Sequence, residues 1–192
     1  MGFTATKFPG LYVFEPRVFH DGRGFFLESY KKALYDEQGI TIDFIQDNQA
    51  RSTGKGVLRG LHFQSPPSAQ AKLVRVTRGA VLDVAVDVRV GSPTYGEHIA
   101  VELSEDNFKQ LLVPRGFAHG YLTLADDVEF LYKVDNYYDR ERDGGLLWND
   151  PDLGIDWGVD SPSSGPVLSD KDKILPRLKD FKSPFVFESS AP

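Results

Sequence analysis

Cysteine is absent from this 192-residue chain. Disulfides, thiolate metal centres and a cysteine nucleophile are thereby excluded, and a cytoplasmic location is the expectation. Histidine is scarce as well, with only His20, His62, His98 and His119. No apolar run approaches the roughly 18 residues that a membrane-spanning helix needs. No apolar stretch of the signal-peptide kind follows Met1. Basic surplus is also missing: the formal net charge is -6, which argues against a general nucleic-acid binder. There is no internal repeat, low-complexity tract or clear linker.

What is present is a balanced globular composition, 41% hydrophobic and 26% charged. One domain over 1–192 is expected, with enough chain for a sizeable core. Its centre, residues 51–140, reads as short alternating segments such as "VLRGLHFQ", "KLVRVTR", "AVLDVAVDVR" and "VEFLYKVDNYY". Frequent Gly and Pro separate them at a spacing of roughly ten residues, the pattern of an all-β sandwich or barrel. Residues 1–50 add strands and one short helix in "ESYKKALYDEQG", with Ser29 as the expected N-cap and Gly39 as its stop. Ser104 is expected to cap a single helical turn. Residues 141–192 have little periodicity and are expected to wrap the barrel, with a short helix after Ser169.

Chemistry concentrates in "GVLRGLHFQ", Gly56 to Gln64. Strict alternation sets Arg59 and His62 on opposite faces of that strand. A bulge at Gly60 would bring both to one side, because one extra residue reverses the phase. In "KLVRVTR", Lys72 shares a phase with Val74 and Val76, and in "FLYKVDNYY" Tyr132 shares one with Phe130 and Val134. Taken singly, a snorkelling lysine and a hydrogen-bonded core tyrosine are the ordinary explanations. An inward His, Lys and Tyr in one small barrel is more telling: it supplies a base, a cation for a developing oxyanion and an acid. "VPRGFAHG" places His119 in a Pro-x-Gly-x-x-His pattern like the second half of a cupin motif. The His-x-His and carboxylate of metal-binding cupins are missing, which disfavours a metal centre.

The ordered stretches "DGRGFFLE", "QDNQARS", "GVLRGLHFQ", "KLVRVTRGAVLDVAVDVR", "SPTYGE", "VPRGFAHGYLTL", "FLYKVDNYY", "LLWNDPDLGIDW" and "LSDKD" together resemble the dTDP-4-dehydrorhamnose 3,5-epimerase family. The resemblance runs from about Phe14 to Lys173. It implies a cupin-like jelly-roll barrel with a few short peripheral helices, metal-free and without a cofactor. It also implies a homodimer that exchanges N-terminal strands, and dTDP-4-dehydro-6-deoxy-D-glucose as substrate.

The same resemblance implies roles for individual residues. His62 would be the base, paired with Asp172 rather than with Asp170. Lys72 would face the enolate oxygen, and Tyr132 would be the acid on the opposite face. Arg23 and Arg59 would hold phosphates. Glu28, Gln46, Asp47, Asn48, His119 and Lys171 would be further substrate contacts, with Asp47 acting through its backbone. Tyr138 would stack on thymine. Asp143 stands where the family often has Glu. The alternatives weighed against a dual epimerase are an epimerase of one carbon only, a non-catalytic sugar-nucleotide-binding cupin and a metal-dependent cupin.

Overall fold

The computed structural model describes residues 2–158 and 165–188. In chain order the elements are β1 (Gly2–Ala5), β2 (Tyr12–Glu15), β3 (Val18–Asp21), β4 (Gly24–Leu27), α1 (Lys32–Glu37), β5 (Gln46–Thr53), β6 (Leu58–Gln64), β7 (Lys72–Arg78) and β8 (Ala80–Asp87). They continue with β9 (Arg89–Val90), β10 (His98–Ser104), β11 (Gln110–Val113), β12 (Phe117–Thr123), β13 (Asp127–Val134), β14 (Asp143–Gly145) and β15 (Phe185–Val186). Two antiparallel sheets carry the fold. One has the order β1-β2-β11-β7-β13-β5 and the other β10-β8-β12-β6-β14. They pack face to face in a cupin-like jelly roll.

Strand alternation decides where the core sits. Val74 and Val76 of β7, Leu111 of β11 and Phe130 of β13 turn inward against Val81 and Ala85 of β8 and Tyr121 of β12. The intervening residues pack outward. Leu73 and Leu112 bury a second cluster beneath Tyr35 of α1 and Ile40. Val84, Val86 and Ala118 bury a third beneath the C-terminal segment, through Leu146, Trp157 and Phe185. Part of each sheet is therefore covered on its outer face as well, so β8, β11 and β12 are buried along nearly their whole length.

Local signals were met unevenly. Gly39, at φ +74°, ends α1 in the left-handed region as expected. Ser29 does not cap that helix. Lys31 occupies the N-cap without a side-chain bond, and the Ser29 carbonyl instead accepts from Gln110 Nε2 at 2.8 Å. Ser104 Oγ does accept from the Asn107 backbone, but the segment is a turn and not a helix. The helix expected after Ser169 is also a turn, at Asp170–Lys173, followed by a short 3-10 turn at Leu178–Asp180. The Ser169 hydroxyl is used on Asp172, as described below. Parts of the expected wrapping segment, 159–164 and 189–192, lie outside the described residues.

Candidate active site

A cavity of about 430 Å³ opens between the sheets. That is a size suited to a small ligand. Arg59, His62, Lys72, His119, Tyr121, Tyr132 and Asp172 line it together. Four of these come from the five-stranded sheet's β6 and β12, two from the facing β7 and β13, and Asp172 from the C-terminal segment.

The local event that assembles the cavity wall is a bulge in β6. His62 lies opposite His119, yet Arg59 lies opposite Tyr121. Two steps along β12 therefore match three along β6. His119 and Tyr121 share a face, so their partners Arg59 and His62 share it too. The outward residues report the same shift, since Leu58, Leu61 and Phe63 all join the outer cluster. Gly60 has φ +125°, and a Cβ there would lie 2.6 Å from Gly120 Cα and 2.8 Å from the His119 carbonyl oxygen. A Cβ on Gly120 would in turn lie 2.6 Å from the Arg59 carbonyl oxygen. Two backbones in contact at the bulge leave room for glycine only.

Asp172 reaches His62 because the C-terminal segment is tied to the start of β6. Val167 forms a parallel bridge with Val57, and the Leu58 N–H donates to the Val167 carbonyl at 3.0 Å. The next turn is then fixed by Ser169, whose hydroxyl donates to Asp172 Oδ2 at 2.8 Å and accepts from the Asp172 N–H at 3.2 Å. His62 Nε2 meets Asp172 Oδ1 at 2.5 Å. With the Nε2 proton committed to that carboxylate, the free lone pair of a neutral ring is on Nδ1. Asp172 is only 2% exposed. Burial alone would raise its pKa, but the bonds from His62 and Ser169 outweigh it and hold the group below the ordinary carboxylate value. Asp170 is on the surface, paired with Lys173.

Lys72 projects from β7 in the Val74 phase. Burial lowers its pKa to about 8, against the opposing pull of Asp83 and Asp143. Tyr132 faces the cavity from β13, and burial raises its pKa, opposed by the Arg59 charge, so the phenol holds its proton. Asp143 accepts from Lys171 Nζ at 2.5 Å and from the Tyr138 hydroxyl at 3.2 Å. Asn48 lies opposite Tyr132 on β5, and Gln46 donates to Asn48 at 2.8 Å. Asp47 is paired with Lys133.

Arg23 and Glu28 do not line this cavity. Arg23 lies in the β3–β4 hairpin and Glu28 immediately after it, both exposed. Tyr138 is exposed as well. One carboxylate that sequence reading passed over is Asp83, fully buried and 2.9 Å from His119 Nε2. Burial pushes Asp83 up, against the pull of His119 and Lys72. Its signal was available: an aspartate in the Val81 and Ala85 phase of "AVLDVAVDVR" must point into the core. Among the described residues no three His, Asp or Glu side chains converge as a metal site. Among the described residues no helix is long and apolar enough to cross a membrane.

The family model described as dTDP-4-dehydrorhamnose 3,5-epimerase matches residues 5–180. The dTDP-4-dehydrorhamnose 3,5-epimerase of Shigella flexneri is 49% identical over 173 residues, covering 90% of this chain and 93% of that one. A crystal structure of the Bacillus anthracis enzyme with TDP and PPi bound superposes with a TM-score of 0.87 at 49% identity, covering 92% of this chain and 99% of that one. The Legionella pneumophila enzyme in complex with dTDP-4-keto-L-rhamnose gives 0.92 at 41% identity, covering 98% and 99%.

Proposed function

The chain belongs to the dTDP-4-dehydrorhamnose 3,5-epimerase family, and from that membership we infer its reaction. It is an isomerase that inverts C3 and C5 of dTDP-4-dehydro-6-deoxy-D-glucose, giving dTDP-4-dehydro-L-rhamnose for dTDP-L-rhamnose synthesis. The C4 carbonyl acidifies the protons on both neighbouring carbons. His62, through Nδ1, takes one of them, and the bonding pair moves onto O4 as an enolate. Asp172 holds the ring and stabilises the imidazolium, as a triad aspartate does. Lys72 stabilises the oxyanion. Tyr132 returns a proton to the carbon from the opposite side, and the carbonyl re-forms with the centre inverted. The net change is an isomerisation: one proton gained by His62 and one lost by Tyr132 are exchanged back through solvent.

The observation that supports these roles most is the placement of base and acid on opposing sheets. His62 stands on β6 with its carboxylate partner, and Tyr132 on β13 across the cavity. Deuterium entry at C3 and C5 during turnover in D₂O tests the reaction itself.

Lys72→Met is expected to lower kcat by about 10²- to 10³-fold, the cost of one oxyanion donor. The same change is expected to raise the melting temperature at pH 7. The folded protein holds Lys72 at about 8 against an ordinary 10.5, so below pH 8 the buried cation costs stability. Between those values the unfolded chain binds the extra proton, so the parent gains stability as pH rises, and the variant lacks that gain. In the parent, kcat/KM is expected to fall above pH about 8 as Lys72 loses its charge. Thermal melts and rate profiles from pH 6 to 10 check both directions.

The nucleotide end of the site is assigned to Arg59, His119, Gln46, Asp47, Asn48, Asp143 and Lys171, with Tyr138 against thymine. Arg23 and Glu28 are supplied by a second copy of the chain. The hairpin that bears Arg23 stands apart from its own cavity and exposes Phe19, Phe25 and Phe26, at 47%, 60% and 65%. Such a bare aromatic surface suits burial in a homodimer. Mixing Arg23→Ala and His62→Ala dimers after partial denaturation should restore about a quarter of parental activity, because some hybrid sites carry neither change. No recovery would remove the shared-site assignment. An activated-sugar substrate suits a cytoplasmic enzyme.

A further inference from the structure

Two tyrosines line the cavity, and the reaction as derived uses only Tyr132. Tyr121 is 5% exposed, and among the described residues its hydroxyl has no hydrogen-bond partner. An orphaned buried hydroxyl carries an uncompensated desolvation cost and calls for an explanation. Its ring is fixed, stacked on Phe130 with centroids 4.1 Å apart and planes 17° from parallel. The hydroxyl therefore cannot be turned away by a simple rotation of a loose side chain.

Its surroundings identify the missing partner. Tyr121 lies directly opposite Arg59 across the β6 bulge, one alternate position beyond the His62–His119 pair. Arg59 spends its bonds on the Ser52 hydroxyl at 3.3 Å and the Arg51 carbonyl at 3.5 Å, neither of them an anion. Ser52, 3% exposed, stands beside the tyrosine hydroxyl without completing a hydrogen bond to it. Its oxygen accepts from Arg59, which leaves its own proton free to donate. Asp83, whose charge also reaches Tyr121, is engaged by His119. A guanidinium and two hydroxyls thus lie together, and among the described residues the guanidinium's acceptors are both neutral while the Tyr121 hydroxyl has none. That is the chemistry of an anion site. Burial raises the Tyr121 pKa, so the phenol remains a donor.

We propose that Tyr121 is a substrate-binding residue whose hydroxyl donates to a phosphate oxygen of the bound nucleoside diphosphate, alongside Arg59. The proposal rests on the dTDP-sugar reading above. It adds a contact that sets the diphosphate one strand position from the catalytic pair, so that the sugar ring falls against His62.

Tyr121→Phe removes one oxygen and preserves the stacked ring. Calorimetric titration of parent and variant with dTDP, dTMP and thymidine is the test, with thermal melts in parallel. The variant is expected to bind dTDP about tenfold more weakly, the loss of one hydrogen bond to a charged acceptor. Thymidine should bind both proteins equally, and the melting temperature of the free variant should equal or exceed the parent's. In turnover, KM should rise more than kcat falls. Equal affinity of parent and variant for dTDP would overturn the proposal and leave the epimerase reading intact. Failure of the parent itself to bind dTDP would overturn both. A variant weakened equally toward dTDP and thymidine would assign Tyr121 to cavity shape and overturn the phosphate contact.

Discussion

Replacing His62 by alanine is expected to lower turnover by about 10²- to 10⁴-fold, the usual contribution of a positioned general base. Deuterium exchange at C3 and at C5 should fall together, since one base on one wall of the cavity serves both carbons. Binding of dTDP should survive, because Arg59 and the β5 contacts are untouched. The stability of the variant reports the pairing. Asp172 is 2% exposed and would lose the His62 bond, retaining only Ser169. Its carboxyl is held low chiefly by that bond against burial, so its pKa should rise in the variant. The sign follows: the parent's stability from this group is present above the unfolded aspartate pKa and is lost as pH falls through the lower folded one. The variant should be less stable than the parent at neutral pH, and the gap should narrow on acidification. Acid titrations of the two proteins followed by circular dichroism check this. A variant that exchanged both protons at the parental rate would place the base elsewhere.

Gly60→Ala should be more damaging still, though it touches no reacting atom. Its Cβ would meet Gly120 Cα at 2.6 Å and the His119 carbonyl at 2.8 Å, and both obstacles are backbone. The positive φ of 125° adds a penalty that alanine cannot avoid. Overpacking and strain together cost on the order of 2–6 kcal/mol, a large share of the stability of a domain this size. If the chain relieves the clash by removing the bulge, every residue on one side of it reverses face, and Arg59 and His62 part. Expected results are poor recovery of folded protein, a melting temperature lower by ten degrees or more and activity near background. A soluble, fully active Gly60→Ala protein would show that the bulge does not set the site.

Much of this arrangement was legible in the sequence, and the reason is the period of two. The phases of Lys72 with Val74 and of Tyr132 with Phe130 pointed both side chains inward, where they are found. Gly60 between Arg59 and His62 announced a change of phase, and the register confirms it. What alternation cannot supply is distance along the chain. Asp172 meets His62 across 110 residues, and only the resemblance connected them. Asp83 was legible yet passed over, because an acidic residue in an apolar strand was read as part of a run. At Ser29 a capping residue was recognised but its use was misjudged, and the helix expected after Ser169 is a turn. Ser169 spends its hydroxyl on the Asp172 carboxylate, and the Ser29 carbonyl is an anchor for Gln110. A cap signal states that a side chain will satisfy local backbone, and tertiary demand decides which groups it serves. Arg23 marks another limit. Its position in one chain reveals only that it is away from the cavity of that chain.

The central claim is that one cavity inverts two carbons through an enolate shared with the C4 carbonyl. Incubating the protein with dTDP-4-dehydro-6-deoxy-D-glucose in D₂O, and reading the recovered sugar by NMR and mass spectrometry, tests it most directly. Deuterium at both C3 and C5, with the L-configured ketone among the products, is the predicted result. Label confined to one carbon, or no label while dTDP binds, would contradict it.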